Sequence, residues 1–411
     1  MSQADCDRMQ YYSRRVKFFE TIFHNDQRQV HVSTYVRIAQ LQSSALFPSL
    51  RHLHYNLDDK FISHIFLFLS PHLDSLELNN IRGFENTIAG PFLASLSSPM
   101  LRRIVLRSGR MSVDILKNSI LHFKQLRSLE LLDAVFMSDF VLWEVLGTLP
   151  SLANLTVEAR DPESHPAHAP ENSNTQSGGP KYFDALESLN ITGSFFFIEH
   201  LLRFIDSPCL KTIKVRPLTN PIQYEDFFTP FMTIITSKWS QSLKKLVIGS
   251  NGIAQRSAIS DFLILSRGLK EMQEFYQMWW RMENVDCYVR PLVMRWPKIR
   301  ILCLNQTLIS AWTLRSIAEN CPELLYLHIR LDTTSIATPS FVTPNKRLHH
   351  NLVVLGLGEF YPSQTTLKHH IRVTRFLDLI FPYLKSIKDC DKTWSEIWDL
   401  VKLCQDVRRA K

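Results

Sequence analysis

The segment Ser70–Leu78, SPHLDSLEL, carries the reading from which the rest follows. Its apolar residues Leu73, Leu76 and Leu78 stand in the pattern L-x-x-L-x-L, with a Pro two residues ahead of the first. The phrase returns along the chain as Phe123–Leu131 (FKQLRSLEL), Leu149–Val157 (LPSLANLTV), Ser207–Val215 (SPCLKTIKV), Trp296–Leu304 (WPKIRILCL) and Cys321–Ile329 (CPELLYLHI). Further clear copies begin at Phe47 and Phe381, looser ones at Ser98, Phe183, Gln241 and His350, and a degenerate one is read at Leu269-Lys-Glu-Met-Gln-Glu-Phe275. Side chains alternate between the two faces of a strand, so the last two apolar residues of each phrase belong to one face of a short strand.

Successive first anchors lie 23 to 34 residues apart, from Leu50 and Leu73 through Leu243, Leu269 and Ile299 to Leu384. This period matches a leucine-rich repeat of roughly 20–29 residues. Helix-like stretches fall between the phrases: Asp58–Leu69, Ser112–His122, Ser138–Thr148, Ser194–Ile205, Ala258–Arg267, Trp312–Asn320 and Leu367–Ile380. Asp58, Ser112, Ser138 and Ser194 are placed to cap helix starts. One helix–turn–strand unit cannot bury its own apolar stripe, so neighbours stack. The expected fold class is therefore α/β: a leucine-rich-repeat solenoid of about 12–13 repeats, a horseshoe or arc with parallel strands on the concave face and helices on the convex face. A compact α/β domain with alternating strands and helices would not keep this many copies in one register.

The expected organisation is a terminal helix within residues 1–22, a repeat domain over 40–390 and a second terminal helix over 391–411, the terminal pieces serving as lids. Met9, Tyr12, Val16 and Phe19 share one face of a helix read over Asp7–Glu20, and Ile397, Trp398, Val401 and Cys404 share one face over Trp394–Arg408. Residues 160–181 are rich in Pro, Ser, Asn, Gly and His and read as a disordered insert within one repeat. His165 and His168 in that insert are read as solvated.

Composition narrows the function classes. The 411 residues include 45% hydrophobic and 21% charged, an ordinary globular balance that excludes wholesale disorder. Only 12 are Gly, which disfavours a fold built on glycine-rich phosphate loops. No apolar run is long enough to span a membrane, and no secretory leader is visible. The seven cysteines are odd in number and never at CxxC spacing, so disulfides and structural zinc are not expected, and a reducing cytoplasmic or nuclear setting is. No nucleophile elbow, Walker loop, zinc-protease or kinase motif occurs; no catalytic residue, metal or cofactor is expected. Gly356-Leu-Gly358 is read as structural, Trp279-Trp280 and Trp296 as core, and Cys209 and Cys321 as packing residues; the pairs His349-His350 and His369-His370 are read as solvated or capping, and Cys303 as exposed on the face. The partner-binding candidates are the residues beside the strand anchors: Arg103, Arg107, Lys214, Arg216, Lys245, Asn305, Tyr326, His328 and Arg330. The net charge of +8 and these cations point to an acidic or phosphorylated protein partner. Base-stacking aromatics are too few on this face to favour nucleic acid.

Five stretches carry a resemblance: Tyr12–Val16, Leu46–Leu53, Trp296–Leu302, Ala318–Leu324 and Phe376–Leu384 ahead of Trp394–Trp398. Together they resemble the F-box and leucine-rich-repeat proteins, and most of all the large set from mushroom-type basidiomycetes. The resemblance runs from about Asp7 to the end of the chain. It implies the substrate-receptor part of an F-box subunit in a cullin–RING (SCF-type) ubiquitin ligase, with the first helix as the one that follows an F-box. The F-box itself, three helices opening on L-P-x-E/D, is not found in the sequence. A ligase adaptor is implied as a partner only with an F-box upstream. The alternative is a stand-alone leucine-rich-repeat binding module without ligase function, an F-box-less paralogue or truncated gene product.

Overall fold

A computed structural model describes residues 3–21, 45–57, 62–81, 86–96, 98–108, 113–134, 140–159, 182–218, 224–249, 268–277, 286–337, 348–358, 366–388 and 391–410. The chain divides into two compact units, Met1–Leu210 and Lys211–Lys411.

In the first unit seven strands follow one another: β1 (Phe18–Glu20), β2 (His52–Asn56), β3 (Ser75–Ile81), β4 (Arg103–Ser108), β5 (Ser128–Ala134), β6 (Asn154–Ala159) and β7 (Ser188–Gly193). Each pairs in parallel with the next. The register repeats the phrase: Leu53, Leu76, Ile104, Leu129, Leu155 and Leu189 form one row, and Leu78, Leu106, Leu131, Val157 and Ile191 another. Every one of these is buried. At the usual scale each contributes about 1.5–3 kcal/mol on leaving water, which is why the stack holds this register.

The second unit repeats the plan with β8 (Thr212–Pro217), β9 (Lys245–Ile248), β10 (Glu274–Gln277), β11 (Ile301–Ser310), β12 (Tyr326–Asp332), β13 (Val354–Leu357) and β14 (Ser386–Lys388), again parallel neighbour to neighbour. Both units are thus leucine-rich-repeat stacks. Helices cover the anchor side: Phe195, Ile198, Leu201 and Leu202 of the helix Phe195–Phe204 are buried, as are Leu314 and Ile317 of Ala311–Asn320. Ser194 caps its helix as expected, accepting from the Phe197 amide at 3.3 Å; Ser310, Thr366 and Asp391 do the same for later helices. Asp58, Ser112 and Ser138 lie outside the described residues, as do Ala258–Arg267 and the insert 160–181.

The residue ahead of the Pro has a role of its own. Ser98 Oγ donates to the Leu73 carbonyl at 2.6 Å, and Ser207 Oγ to the Leu186 carbonyl at 2.7 Å. Ser70 donates to the Pro48 carbonyl at 3.0 Å. His350 places Nε2 2.8 Å from the Cys321 carbonyl while Nδ1 accepts from the Leu352 amide at 3.0 Å. A buried carbonyl left over by one repeat is thereby satisfied by the next, which removes a penalty of about 1–3 kcal/mol each.

Three sequence readings are corrected. The first helix is Gln3–Ser13, and it stops ahead of β1. Phe19 is not on a helix face: it pairs with Leu53 and packs on Phe68 and Phe47, with ring centroids 4.3 and 5.6 Å away. Val16-x-x-Phe19 is thus a partial phrase, and burial of aromatic side chains against the first full repeat outweighs the helical periodicity. The degenerate copy is shifted by three residues, since Phe275 pairs with both Leu246 and Leu302. Met272 is the first anchor and Gln277 takes the place of the last. Asp58–Leu69 contains a 3-10 helix over Ile62–Phe68, not an α-helix.

Candidate partner-binding face

Residues one, three and five of each strand face away from the helices and form rows across the sheet. In the first unit these rows are mutually neutralised. Arg103 pairs with Glu130 on the next strand (Nη2–Oε1 2.9 Å), and Arg107 with Glu77 on the preceding one (Nε–Oε1 3.4 Å). His54 lies between Glu20 (3.0 Å) and Glu77 (3.7 Å). Arg103 and Arg107 therefore stand where the sequence places them, on the solvent face, with their charge already shared inside the sheet. Toward β7 the rows become Ser128, Asn154, Thr156, Ser188 and Asn190.

Two loop-like bulges shape this face. The pairing shifts between Leu78 and Ile81 and again between Leu131 and Ala134. Asn80 and Asp133 occupy these bulges at φ 59°, a left-handed conformation in which Asn and Asp are tolerated best after Gly.

The second unit holds the remaining candidates. Lys214 and Arg216 are exposed on β8. Lys245 Nζ lies 2.5 Å from Glu274 Oε2 and 5.1 Å from the centre of the Tyr276 ring, and the Tyr276 hydroxyl donates to the same Glu274 oxygen at 3.3 Å. Burial, then the Glu274 carboxylate, raises the Tyr276 pKa, so the phenol stays a donor at neutral pH. Cys303 is buried, against the sequence reading: in its row this short side chain stands between the larger Tyr276 and His328. Burial first and Glu274 second push its thiol up to about 12, so it is held as a small apolar group and not as a thiolate. Cys321 is buried as expected; Cys209 is exposed, not packed.

Tyr326, His328 and Arg330 share one face of β12, with Tyr326 beside Val354, while His328 and Arg330 lie over Gly356 and Gly358. A Cβ on Gly356 would stand 2.7 Å from His328 Cγ, and one on Gly358 3.2 Å from Arg330 Cγ. Both glycines leave their strand bare so that the imidazole and the guanidinium stem lie across it. Asn305 follows on β11 with its Oδ1 buried and without a hydrogen-bond partner among the described residues. Lys214 and Lys245 are brought onto adjacent strands, and Tyr326, His328 and Arg330 onto one strand three further on. Sequence reasoning missed Val247, Glu274, Tyr276, Val354 and Lys388 on the same face. The signal for Glu274 and Tyr276 was present, but hidden by the three-residue register error around Leu269.

Among the described residues no group of three metal-ligating side chains occurs, and no helix is long and apolar enough to cross a membrane. His165, His168, Trp279 and Trp280 lie outside the described residues.

No family model matches the chain, and no curated protein matches it. Solved structures do. An internalin, inlF, from Listeria monocytogenes is 15% identical over 93% of this chain and 89% of its own, at a TM-score of 0.45. An LRR protein of Leptospira interrogans is 13% identical over 93% of this chain and 98% of its own, at a TM-score of 0.33. Rad7, solved in complex with Elc1 in yeast, is 12% identical over 89% and 92%, at 0.38. The repeat fold of this chain stands on its own strand rows: two stacks of parallel strands, each strand bearing the same leucine-rich phrase in the same register.

Proposed function

We propose that this chain is a non-enzymatic protein-recognition scaffold, of the kind that serves as the substrate-receptor part of an F-box subunit in a cullin–RING ligase. The observation that carries the recognition reading is the register: each parallel strand offers one side chain per row to solvent, at about 4.8 Å from the next, on a backbone fixed by buried leucines. Such a face presents many weak contacts in fixed order, which suits binding a macromolecular surface. The resemblance of Cys321-Pro-x-Leu324 and the stretches around it supports the ligase-receptor form. The partner is a protein, acidic in character, and the setting cytoplasmic or nuclear, where the free thiols of Cys209, Cys287, Cys303, Cys321 and Cys404 persist.

Affinity purification of the natively encoded protein tests this. The expected result is co-purification of a ligase adaptor and a cullin with the chain. Captured proteins that include neither would replace the ligase role with that of a stand-alone binding module, and enzymatic turnover by the purified chain would overturn the scaffold reading itself.

A further inference from the structure

The solvent faces of the two units differ in kind. In the first unit the rows hold chiefly Ser, Asn and Thr with ion pairs, and the apolar Val105 stands between Glu77 and Glu130. In the second, the middle of the face is apolar: Val247, Ile301, Tyr326 and Val354 are half-buried around the buried Cys303, with Tyr276 beside them. The pairings place them side by side, Ile301 next to Tyr326, Tyr326 next to Val354, and Tyr276 next to both Val247 and Cys303. At the two ends of this strip stand Lys214 on β8 and Lys388 on β14, both exposed. Neither has an ion-pair partner among the described residues, whereas Lys245, between them, is held by Glu274.

We infer that this strip docks an extended acidic segment of a partner protein, with carboxylates at both ends and an aliphatic or aromatic side chain between them. The inference rests on the recognition reading above and deepens it. The span fixes the length. From β8 to β14 are six strand spacings, about 29 Å at the usual ~4.8 Å each, which an extended chain at ~3.4 Å per residue covers in about nine residues. The chemistry fixes the charge type. A phosphate dianion is gripped by converging donors, and here the two free ammonium groups stand at opposite ends; separate carboxylates fit them. A nucleic-acid strand fits less well, because the Glu274 carboxylate sits within the strip and Val247, Ile301 and Val354 interrupt any run of stacking rings.

The test uses the full chain and fluorescence anisotropy with a labelled nine-residue peptide, EEDYLVDEE. Three competitors accompany it: EEDGSGDEE without the anchor, KKRYLVRKK with reversed charge, and a nine-nucleotide oligothymidylate. The acidic anchored peptide is expected to bind at least tenfold more tightly than any of the three. Lys214→Glu with Lys388→Glu should weaken it at least tenfold, and Val247→Thr with Ile301→Thr, which keep β-branched side chains in the strands, should do the same. Thermal unfolding of each variant confirms that it is folded; the single lysine variants, at exposed positions, serve if a double variant is not. Equal binding of the anchor-free peptide, preference for the oligonucleotide, or indifference to both variant pairs would overturn the inference. Arg103→Glu in the first unit separates the two proposals. If it abolishes partner capture while the strip variants do not, the scaffold stands and the strip falls; if no variant on the solvent face of either unit alters capture, both fall.

Discussion

Gln405 donates from Nε2 to the carbonyl of Leu384 at 3.2 Å, deep in the last repeat. Leu384 is the first anchor of its phrase, and its counterparts Leu73 and Leu186 receive the same bond from Ser98 and Ser207 of the repeat that follows each. No further phrase follows Leu384 in the sequence. The helix Lys392–Arg409 supplies the missing donor from a glutamine, and buries Trp394, Ile397 and Val401.

Gln405→Leu should therefore cost about 1–3 kcal/mol, since it leaves a buried carbonyl without a partner while keeping the side-chain bulk. Urea unfolding checks this. Gln405→Glu should be worse, because it sets a carboxylate against a carbonyl oxygen.

Gly356→Ala should destabilise the protein by about 1–3 kcal/mol, the usual cost of overpacking, because the new methyl collides with the root of the His328 ring. His328→Ala should relieve most of this in the double variant. A double-mutant cycle in urea reads the coupling; additive costs would mean that the ring does not rest on Gly356.

Stability should fall as the pH drops below about 6.5. His350 is held below its ordinary pKa chiefly by burial, only partly offset by its bond to the Cys321 carbonyl; burial also lowers His200 and His369. With the folded pKa lowered, the unfolded chain binds protons that the folded chain refuses. The stabilisation is complete above the unfolded value and is lost as the pH falls toward the folded one. His350→Gln should flatten the pH dependence of the unfolding midpoint between pH 7.5 and 5.5.

Iodoacetamide at neutral pH should label Cys209 and Cys287, which are exposed, and spare Cys303 and Cys321, whose thiols burial pushes up to about 12. Peptide mass spectrometry before and after denaturation distinguishes the two pairs.

The repeat was legible because its physics is local. A strand that must bury alternate residues announces itself wherever leucine recurs at positions one, four and six. The reading failed where another residue fills an anchor slot. Gln277 sits in the core in place of a leucine, so the apolar count around Leu269 favoured the wrong register. It failed again at Phe19, where a strand too short to show alternation is held by ring packing with Phe68. The face was legible in position but not in charge. Arg103 and Arg107 were found, yet their neutralisation by Glu130 and Glu77 depends on cross-strand neighbours that no sequence spacing displays. For the same reason the apolar strip, assembled from one residue per strand, escaped notice.

The serines ahead of Pro71, Pro99 and Pro208 also set where this polymer can be cut and rejoined. Each hydroxyl closes the preceding segment, so a block excised from just before one such serine to just before the next, Ser70 through Ser97 for instance, leaves a matched seam: Ser98 would meet Pro48 as Ser70 does now. Lengthening or shortening such a chain by whole modules is then a question of phase, and the phase is written in a single hydroxyl.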